Sequence, residues 1–241
     1  MVPYARQRQE APGWAEYFAR QAEACTTPAL KRFYAAGVPG EEQPIKDVPL
    51  MALDFETTGM DPREHAIVSI GMVPFDLRFI RPAAGRYWVV KPHQPLREES
   101  IAFHRITHSE VEHAPRIETV LDEVLAALAG HLVVVHYRNI ERPFLDAAVM
   151  ASRGEHCLFP LIDTMALEAR WERPGRLQSL KNRLFGISPS SIRLADSRAR
   201  YGLPHYSSHH AKVDAMATAE LFQAQMARHL PPETPASDLW I

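Results

Sequence analysis

The stretch that decides the fold is residues 51–59, Met-Ala-Leu-Asp-Phe-Glu-Thr-Thr-Gly. Its apolar beginning predicts a buried strand, and the glycine at its end predicts a turn. Because residues i and i+2 of a strand point to the same face, Asp54 and Glu56 place two carboxylates side by side. Buried like charges are costly unless a cation compensates them, and Mg²⁺ or Mn²⁺ is the usual partner of clustered carboxylates. The alternative interpretation is an acidic strand end in a solvated turn.

The size and composition of the chain are those of a globular protein. Its 241 residues suffice for one sizeable α/β domain with an extension. The net charge of −2 does not indicate a nucleic-acid binder, so any such role must depend on a local site. Cys25 and Cys157 have no metal-ligand spacing, which favours reduced thiols in a cytoplasmic protein. We expect no membrane span and no secretory signal.

Residues 1–47 predict a helical N-terminal extension that ends in a linker. Its apolar residues recur at helical spacing; they are Trp14, Tyr17, Phe18, Ala22, Leu30, Phe33 and Tyr34. Glycines and prolines between residues 37 and 44 then break the pattern. We interpret this segment as an extension packed on the main domain. The alternative is a docking site for a polymerase or another protein partner.

Residues 48–230 predict one α/β domain, followed by a short tail over 231–241. The predicted strands are 50–55, 66–74, 86–90, 132–136 and 161–164, and the predicted helices are 117–128, 139–153 and 211–229. Short connections between the first three strands favour antiparallel neighbours, and the later alternation of helix and strand favours a mixed sheet. The fold class is therefore α/β, a mixed sheet flanked by helices.

Two further acidic positions follow buried elements. In the run 136–145, His-Tyr-Arg-Asn-Ile-Glu-Arg-Pro-Phe-Leu, a buried strand leads into a helix whose opening turn holds Glu141. In the run 209–215, His-His-Ala-Lys-Val-Asp-Ala, His209 lies in the approach to the last long helix and Asp214 about one turn inside it.

These three motifs, in this order and spacing, resemble the DEDDh branch of the DnaQ-like 3′–5′ exonucleases. The stretch 104–107, His-Arg-Ile-Thr, is similar to a further family sequence, His-Gly-Ile-Thr. The family includes the proofreading subunit of bacterial DNA polymerase III, and the resemblance covers residues 48–229. It implies a ribonuclease H-like fold, which agrees with the mixed sheet.

The resemblance also implies roles for individual residues. Asp54, Glu56, Glu141 and Asp214 match acids that hold two Mg²⁺ or Mn²⁺ ions. His209 matches the general base, since Ala211 and Asp214 fix the register against His210. The residues that match contacts to the terminal nucleotide are Thr57, Thr58, Glu99 and His104.

The second acidic position departs from the family pattern, because Glu141 replaces the usual Asp and Tyr137 replaces a neighbouring Asn. Glutamate is longer by one C–C bond, about 1.5 Å, but keeps the charge and both oxygens. We expect Glu141 to act as the acid. The alternative is a weakened or rearranged site, with Asp146 as a substitute five residues further along.

The expected function is metal-dependent removal of 5′-mononucleotides from 3′ ends of DNA, with single strands favoured. An RNA-trimming nuclease of the same branch and a catalytically weak nucleic-acid-binding module are the alternatives. A basic stretch over residues 170–200 either follows a phosphate backbone or forms a solvated positive face. Its cations are Arg170, Arg173, Arg176, Lys181, Arg183, Arg193, Arg198 and Arg200.

Overall fold

A five-stranded mixed sheet forms the centre of the molecule. The computed structural model of the chain describes residues 13–93, 106–172, 190–207 and 209–241. The strands are β1 (Leu50–Thr57), β2 (Ile67–Phe75), β3 (Arg86–Val89), β4 (Leu132–Val135) and β5 (Leu161–Asp163), in the order β3-β2-β1-β4-β5. The pairs β1–β2 and β2–β3 are antiparallel, whereas β1–β4 and β4–β5 are parallel. The predicted mixed sheet is confirmed.

Helices cover both faces of this sheet. They are α1 (Trp14–Ala24), α2 (Pro28–Ala35), α3 (His108–Glu112), α4 (Ile117–Leu128), α5 (Glu141–Arg153), α6 (Thr164–Glu172), α7 (Leu194–Arg200) and α8 (Ala211–His229). Short 3₁₀ turns lie at Ile45–Asp47, Pro82–Ala84 and Ala236–Asp238. Within the described residues, no helix combines the length and the apolarity that a membrane span needs.

The alternation of side chains along β1 separates two apolar layers. Met51, Leu53 and Phe55 belong to the cluster that contains α1, α2, α4 and α5 residues. Leu50 and Ala52 belong to a second cluster, formed with residues of α8 and the C-terminal segment. Because strand side chains alternate between faces, the acids at positions 54 and 56 continue the row of Leu50 and Ala52, on the α8 side.

The N-terminal helices pack on the main domain, as predicted. Phe18 of α1 and Tyr34 of α2 are buried and make an edge-to-face contact with ring centroids 4.9 Å apart. Phe33 makes a similar contact with Phe159, which precedes β5. The Glu155 carboxylate accepts hydrogen bonds from the amides of Thr26 and Thr27 at the start of α2. The boundary at residue 47 stays a prediction, since these helices share one apolar cluster with the sheet.

Three short helices, α3, α6 and α7, were not predicted from the sequence. The predicted strand 161–164 ends at Asp163, because its side chain accepts hydrogen bonds from the amides of Met165 and Ala166 and so caps α6. The short α3 begins with a capping box between Thr107 and Glu110. The helices α4 and α8 have the predicted bounds.

Candidate active site

The candidate site lies at the carboxyl end of β1, where three elements converge. Asp54 and Glu56 are in the last half of β1, and the pairing of β1 with β2 becomes irregular between Glu56 and Thr57. Irregular pairing of this kind ends a strand and redirects its side chains. Glu141 is the first residue of α5, which follows the parallel neighbour β4. Asp214 lies in the first turns of α8, which packs across β1 and β2.

Glu56, His209 and Asp214 form the tightest group. Each offers one ligand atom, and these atoms all lie within 4.8 Å of one another. The backbone amide of His209 donates a 2.7 Å hydrogen bond to Asp214 Oδ2, which ties the histidine to the helix that follows it. His209 has a φ of 72°. That left-handed conformation costs a non-glycine residue about 1–3 kcal/mol and is concentrated at functional sites.

The carboxylates disfavour one another's ionised form. Burial, followed by the charges of Glu141, Glu56 and Asp214, raises the pKa of Asp54 well above its ordinary value. Burial and the charge of Asp214 raise the pKa of Glu56 to about 8. Burial also raises the pKa of Asp214. The four acids therefore lie close enough to interact, and only the nearby His209 and His210 oppose the rise in the pKa of Asp214.

Glu141 lies outside the group of Glu56, His209 and Asp214 but near Asp54, whose pKa its charge raises. It is 2% exposed, and burial followed by the charge of Asp163 raises its pKa well above the ordinary value. Its Oε2 atom is buried and has no hydrogen-bond partner among the described residues. A buried carboxylate oxygen without a partner is costly, and a bound cation would remove that cost.

These donors fit a hard divalent cation. Four carboxylates and an imidazole offer oxygen and nitrogen ligands of the kind that Mg²⁺ and Mn²⁺ accept. None of the ion pairs found among the described residues includes any of the four acids. The group therefore meets the requirements of a metal site in its charge, its ligand type and its unpartnered oxygen.

Comparison with known proteins identifies the family. The sequence profile of the exonuclease family described as RNase T matches residues 51–222, which is more than half of the chain. The chain belongs to this exonuclease family. The matched region contains all five residues of the candidate site, so the acids and the histidine lie within the exonuclease domain.

Relatives of the exonuclease include proteins whose names place them in DNA polymerase III. The DNA polymerase III subunit epsilon of Treponema pallidum is 26% identical over 182 residues, which cover 76% of this chain and 78% of that protein. The PolC-type DNA polymerase III of Thermotoga maritima is 29% identical over 182 residues, 76% of this chain. That region is only 12% of the Thermotoga protein, so the chain spans a small part of the PolC-type relatives.

Solved structures confirm the ribonuclease H-like exonuclease fold. The nuclease domain of 3′hExo, a DEDDh family member bound to rAMP, has a TM-score of 0.59 and 17% identity, over 75% of this chain and 92% of that one. E. coli exonuclease I in complex with a dT13 oligonucleotide has a TM-score of 0.59 and 12% identity, over 76% of this chain and 42% of that one.

The alternative acid Asp146 is engaged elsewhere in the exonuclease. Its Oδ1 atom accepts a 2.7 Å hydrogen bond from the amide of Cys157, and His156 Nδ1 lies 3.1 Å from the same carboxylate. These contacts hold the loop that follows α5, at the end of the helix away from Glu141. Asp146 is therefore committed to this loop, and the role of Glu141 as the second acid stays a prediction.

The predicted nucleotide contacts are only partly within the described residues. Thr57 Oγ1 donates a 2.7 Å hydrogen bond to the Gly59 carbonyl, and Thr58 Oγ1 accepts one from the Ala66 amide. Both threonines therefore shape the turn between β1 and β2, beside the carboxylates. Glu99 and His104 lie outside the described residues.

Two cations of the basic stretch are structural. Arg198 is 4% exposed, pairs with Glu220 at 2.7 Å and donates to the Ala217 carbonyl of α8. Arg200 pairs with the buried Glu168 at 2.7 Å. Neither arginine follows a phosphate backbone or forms a solvated face, because acids distant in sequence bind both. Arg170 and Arg193 are exposed, and the stretch's other cations lie outside the described residues.

Asp163, which supports the second acidic position, was not predicted from the sequence to have this role. Its two carboxylate oxygens accept hydrogen bonds of 3.2 Å from the amides of Tyr137 and Arg138, in the loop that leads to Glu141. Tyr137 has a φ of 101°, so this loop is strained where it is held. The signal in the sequence was an acid ending a short apolar strand, the same pattern as Asp54.

His136, at the end of the predicted strand 132–136, also has a structural role. Its Nδ1 lies 2.8 Å from Thr164 Oγ1 and its Nε2 lies 3.1 Å from the carbonyl oxygen of Ile192. Burial lowers the pKa of His136 to about 4. A histidine held in this way joins β4 to α6 and to the segment before α7.

Proposed function

We propose that this exonuclease removes nucleoside 5′-monophosphates from 3′ ends of DNA, with single strands as the favoured substrate, and that it requires Mg²⁺ or Mn²⁺. The observation that carries the proposal is the convergence of Glu56, His209 and Asp214 within 4.8 Å, beside Asp54 and the buried Glu141.

The four acids come from three different elements of the fold. Asp54 lies on β1 and Asp214 on α8, which packs against β1, so both carboxylates would hold a bound metal ion. Glu56 at the end of β1 and Glu141 at the start of α5 add two further negative charges. Two divalent ions, when bound, supply an activated water and stabilise charge on the attacking and leaving oxygens of the scissile phosphate.

His209 takes the proton in this proposal. A neutral imidazole has a ring nitrogen that can accept a proton, which is the property a general base needs. Its backbone amide is held by Asp214, which places the ring at the edge of the carboxylate group. With the water's proton on His209, the water oxygen bonds to phosphorus as the P–O3′ bond breaks. The O3′ of the shortened strand takes up a proton, and the phosphate stays on the released nucleotide.

The preference for DNA rests on the named relatives. The epsilon and PolC-type proteins are components of DNA polymerases by name, which supports a DNA end and a proofreading role. The nuclease domain of 3′hExo, which has a similar fold, was solved with bound rAMP, so RNA trimming is the second candidate. The two differ in how the pocket treats a 2′-hydroxyl group.

A protein partner for the N-terminal extension stays a prediction. The buried face of α1 and α2 is already occupied by the domain, since Trp14, Phe18 and Leu30 are buried in its apolar cluster. A polymerase or another partner would therefore contact the polar outer face of these helices.

The test is cleavage of 5′-labelled oligonucleotides with single-stranded, blunt or 3′-recessed ends, each as DNA and as RNA, with Mg²⁺, Mn²⁺ or EDTA. We expect a ladder that shortens from the 3′ end, requires metal and is fastest on single-stranded DNA. Faster cleavage of the RNA series would favour the second candidate. Intact substrates under every metal condition, with folded protein that retains the oligonucleotide, would favour the weak binding module instead.

A further inference from the structure

Tyr87 on β3 stacks on the residue beside the proposed general base. Its ring and the imidazole of His210 have centroids 4.4 Å apart and an interplanar angle of 23°. His210 is the residue before α8, and its side chain makes no capping hydrogen bond to the helix. The imidazole is therefore used for stacking on the sheet rather than for capping, although its position is one where capping side chains are common.

The stack is one of several contacts that fix the entry to α8. The carbonyl of His210 accepts hydrogen bonds from the amides of Val213 and Asp214, at 2.7 Å and 3.0 Å. Lys212 Nζ donates a 3.1 Å hydrogen bond to the carbonyl of Gly85, just before β3. The first turn of α8 is thus attached to the β3 edge through a side-chain bond and an aromatic contact.

His209 depends on this attachment, because its own backbone is strained. Its φ of 72° has to be maintained by the residues on either side, and the following residue is the one held by Tyr87. A rotation at His210 would move the His209 ring relative to Glu56 and Asp214. Displacements of about 1 Å at a reacting group cost on the order of 100-fold in rate.

We propose that Tyr87 is a positioning residue of the exonuclease, which holds the His209 imidazole against the carboxylate group by stacking on His210. The inference rests on the proposed function of His209. The proposed role belongs to the aromatic ring of Tyr87 and not to its hydroxyl group, so a phenylalanine at this position would supply the same stacking surface.

The test compares Tyr87→Ala with Tyr87→Phe in the full chain, on a single-stranded DNA with saturating Mg²⁺. We expect Tyr87→Ala to lower kcat by about 10- to 100-fold with little change in KM, because the stack orients the base rather than the substrate. Tyr87→Phe should retain the wild-type kcat. His210→Ala should lower kcat as Tyr87→Ala does, and the double variant should lose no more than either single variant, because both remove one contact.

A matched control lies on the same strand. Trp88 points to the opposite face of the sheet and donates a hydrogen bond to Glu123, so Trp88→Leu removes an aromatic ring from β3 without touching His210. We expect its kcat to match wild type. A kcat loss in Trp88→Leu equal to that in Tyr87→Ala would overturn the proposal, because damage to β3 would then account for both. Equal losses in Tyr87→Ala and Tyr87→Phe would also overturn it, because the hydroxyl group would then be responsible.

Amide hydrogen exchange separates this inference from the proposed function. Tyr87→Ala should speed exchange in the peptide containing Lys212 and Val213, measured in EDTA, while exchange in β1 stays unchanged. Unchanged exchange in that peptide would overturn the positioning role. A wild-type protein that cleaves nothing would overturn the proposed function alone, because the exchange measurement needs no cleavage.

Discussion

Gly71 of β2 lies directly against Ala211, the first residue of α8. A methyl group added at Gly71 would overlap the carbonyl carbon of Ala211 and the amide nitrogen of Lys212. Gly71 is also the pairing partner of Asp54 across the sheet. The absence of a side chain therefore lets the helix that carries Asp214 approach the strand that carries Asp54.

The first prediction is that Gly71→Ala weakens metal binding as well as folding. The added methyl group overlaps backbone atoms, so α8 has to shift away from β1, and overpacking of this kind costs about 1–3 kcal/mol. Denaturant unfolding measures the stability, and the Mn²⁺-induced rise in Tm measures the site. Gly40→Ala is the control, because its nearest neighbour would be Gln43 Cβ at 3.8 Å. A Gly71→Ala protein with wild-type Tm and metal response would contradict this arrangement.

The second prediction concerns the glutamate at the second acidic position. Glu141→Asp should cleave DNA within about tenfold of the wild-type kcat, with a changed ratio of Mg²⁺ to Mn²⁺ activity, because the charge is kept and the reach shortens. Glu141→Gln should lose much more, since it removes the charge. Asp146→Asn is the control; it should lower stability, because it weakens the contacts to Cys157 and His156, and leave the metal ratio unchanged. If Asp146→Asn changed the ratio of Mg²⁺ to Mn²⁺ activity and the Glu141 variants did not, Asp146 and not Glu141 would be the second acid.

The sequence predicts the candidate site better than it predicts the parts that hold it. Asp54 and Glu56 were predicted from the strand pattern, and Glu141, His209 and Asp214 took their roles from the resemblance of the three motifs to the exonuclease family. Gly71 and Tyr87 could not be found in this way, since their contacts to Ala211 and His210 join segments more than 120 residues apart. The helix α6 was missed because the single capping side chain of Asp163 turns a strand into a helix within one residue.

The third prediction is that bound metal stabilises the folded protein more at high pH than at low pH. Glu56 has a folded pKa of about 8, against an ordinary value of 4.5. The folded state of the metal-free protein therefore binds the Glu56 proton more tightly than the unfolded state does. The stability that this gives is fully present below about pH 4.5 and is lost as the pH rises towards 8. Metal binding requires the ionised carboxylates, so Mn²⁺ should raise Tm more at pH 8 than at pH 5.

Thermal unfolding with Mn²⁺ and with EDTA, from pH 5 to pH 8.5, checks this dependence. The Glu56→Gln variant should show a smaller fall in metal-free Tm over the same range, because the titrating group is gone. A metal-induced rise in Tm of the same size at every pH would show that these carboxylates do not titrate as described.

The fourth prediction is that the N-terminal helices are needed for folding of the exonuclease domain. Phe18 is 3% exposed and packs on Phe33 and Tyr34, at centroid distances of 5.5 Å and 4.9 Å. Phe18→Ala should destabilise the whole domain by about 3–5 kcal/mol, in a single unfolding transition. Arg20→Ala, exposed on the same helix, should change stability by less than about 0.5 kcal/mol. Two separate transitions, with only the first one shifted, would show that the extension folds independently.

The most direct test of the central claim is the rate of 3′ shortening of a 5′-labelled single-stranded DNA in Mg²⁺, by the wild type, Asp54→Asn and His209→Ala at equal concentrations of folded protein. We expect a metal-dependent ladder for the wild type and no detectable ladder for Asp54→Asn. His209→Ala should retain metal and DNA binding and lose about 10²- to 10⁴-fold in rate, as expected for a general base. Cleavage by Asp54→Asn at the wild-type rate would contradict the assignment of these carboxylates to the metal site.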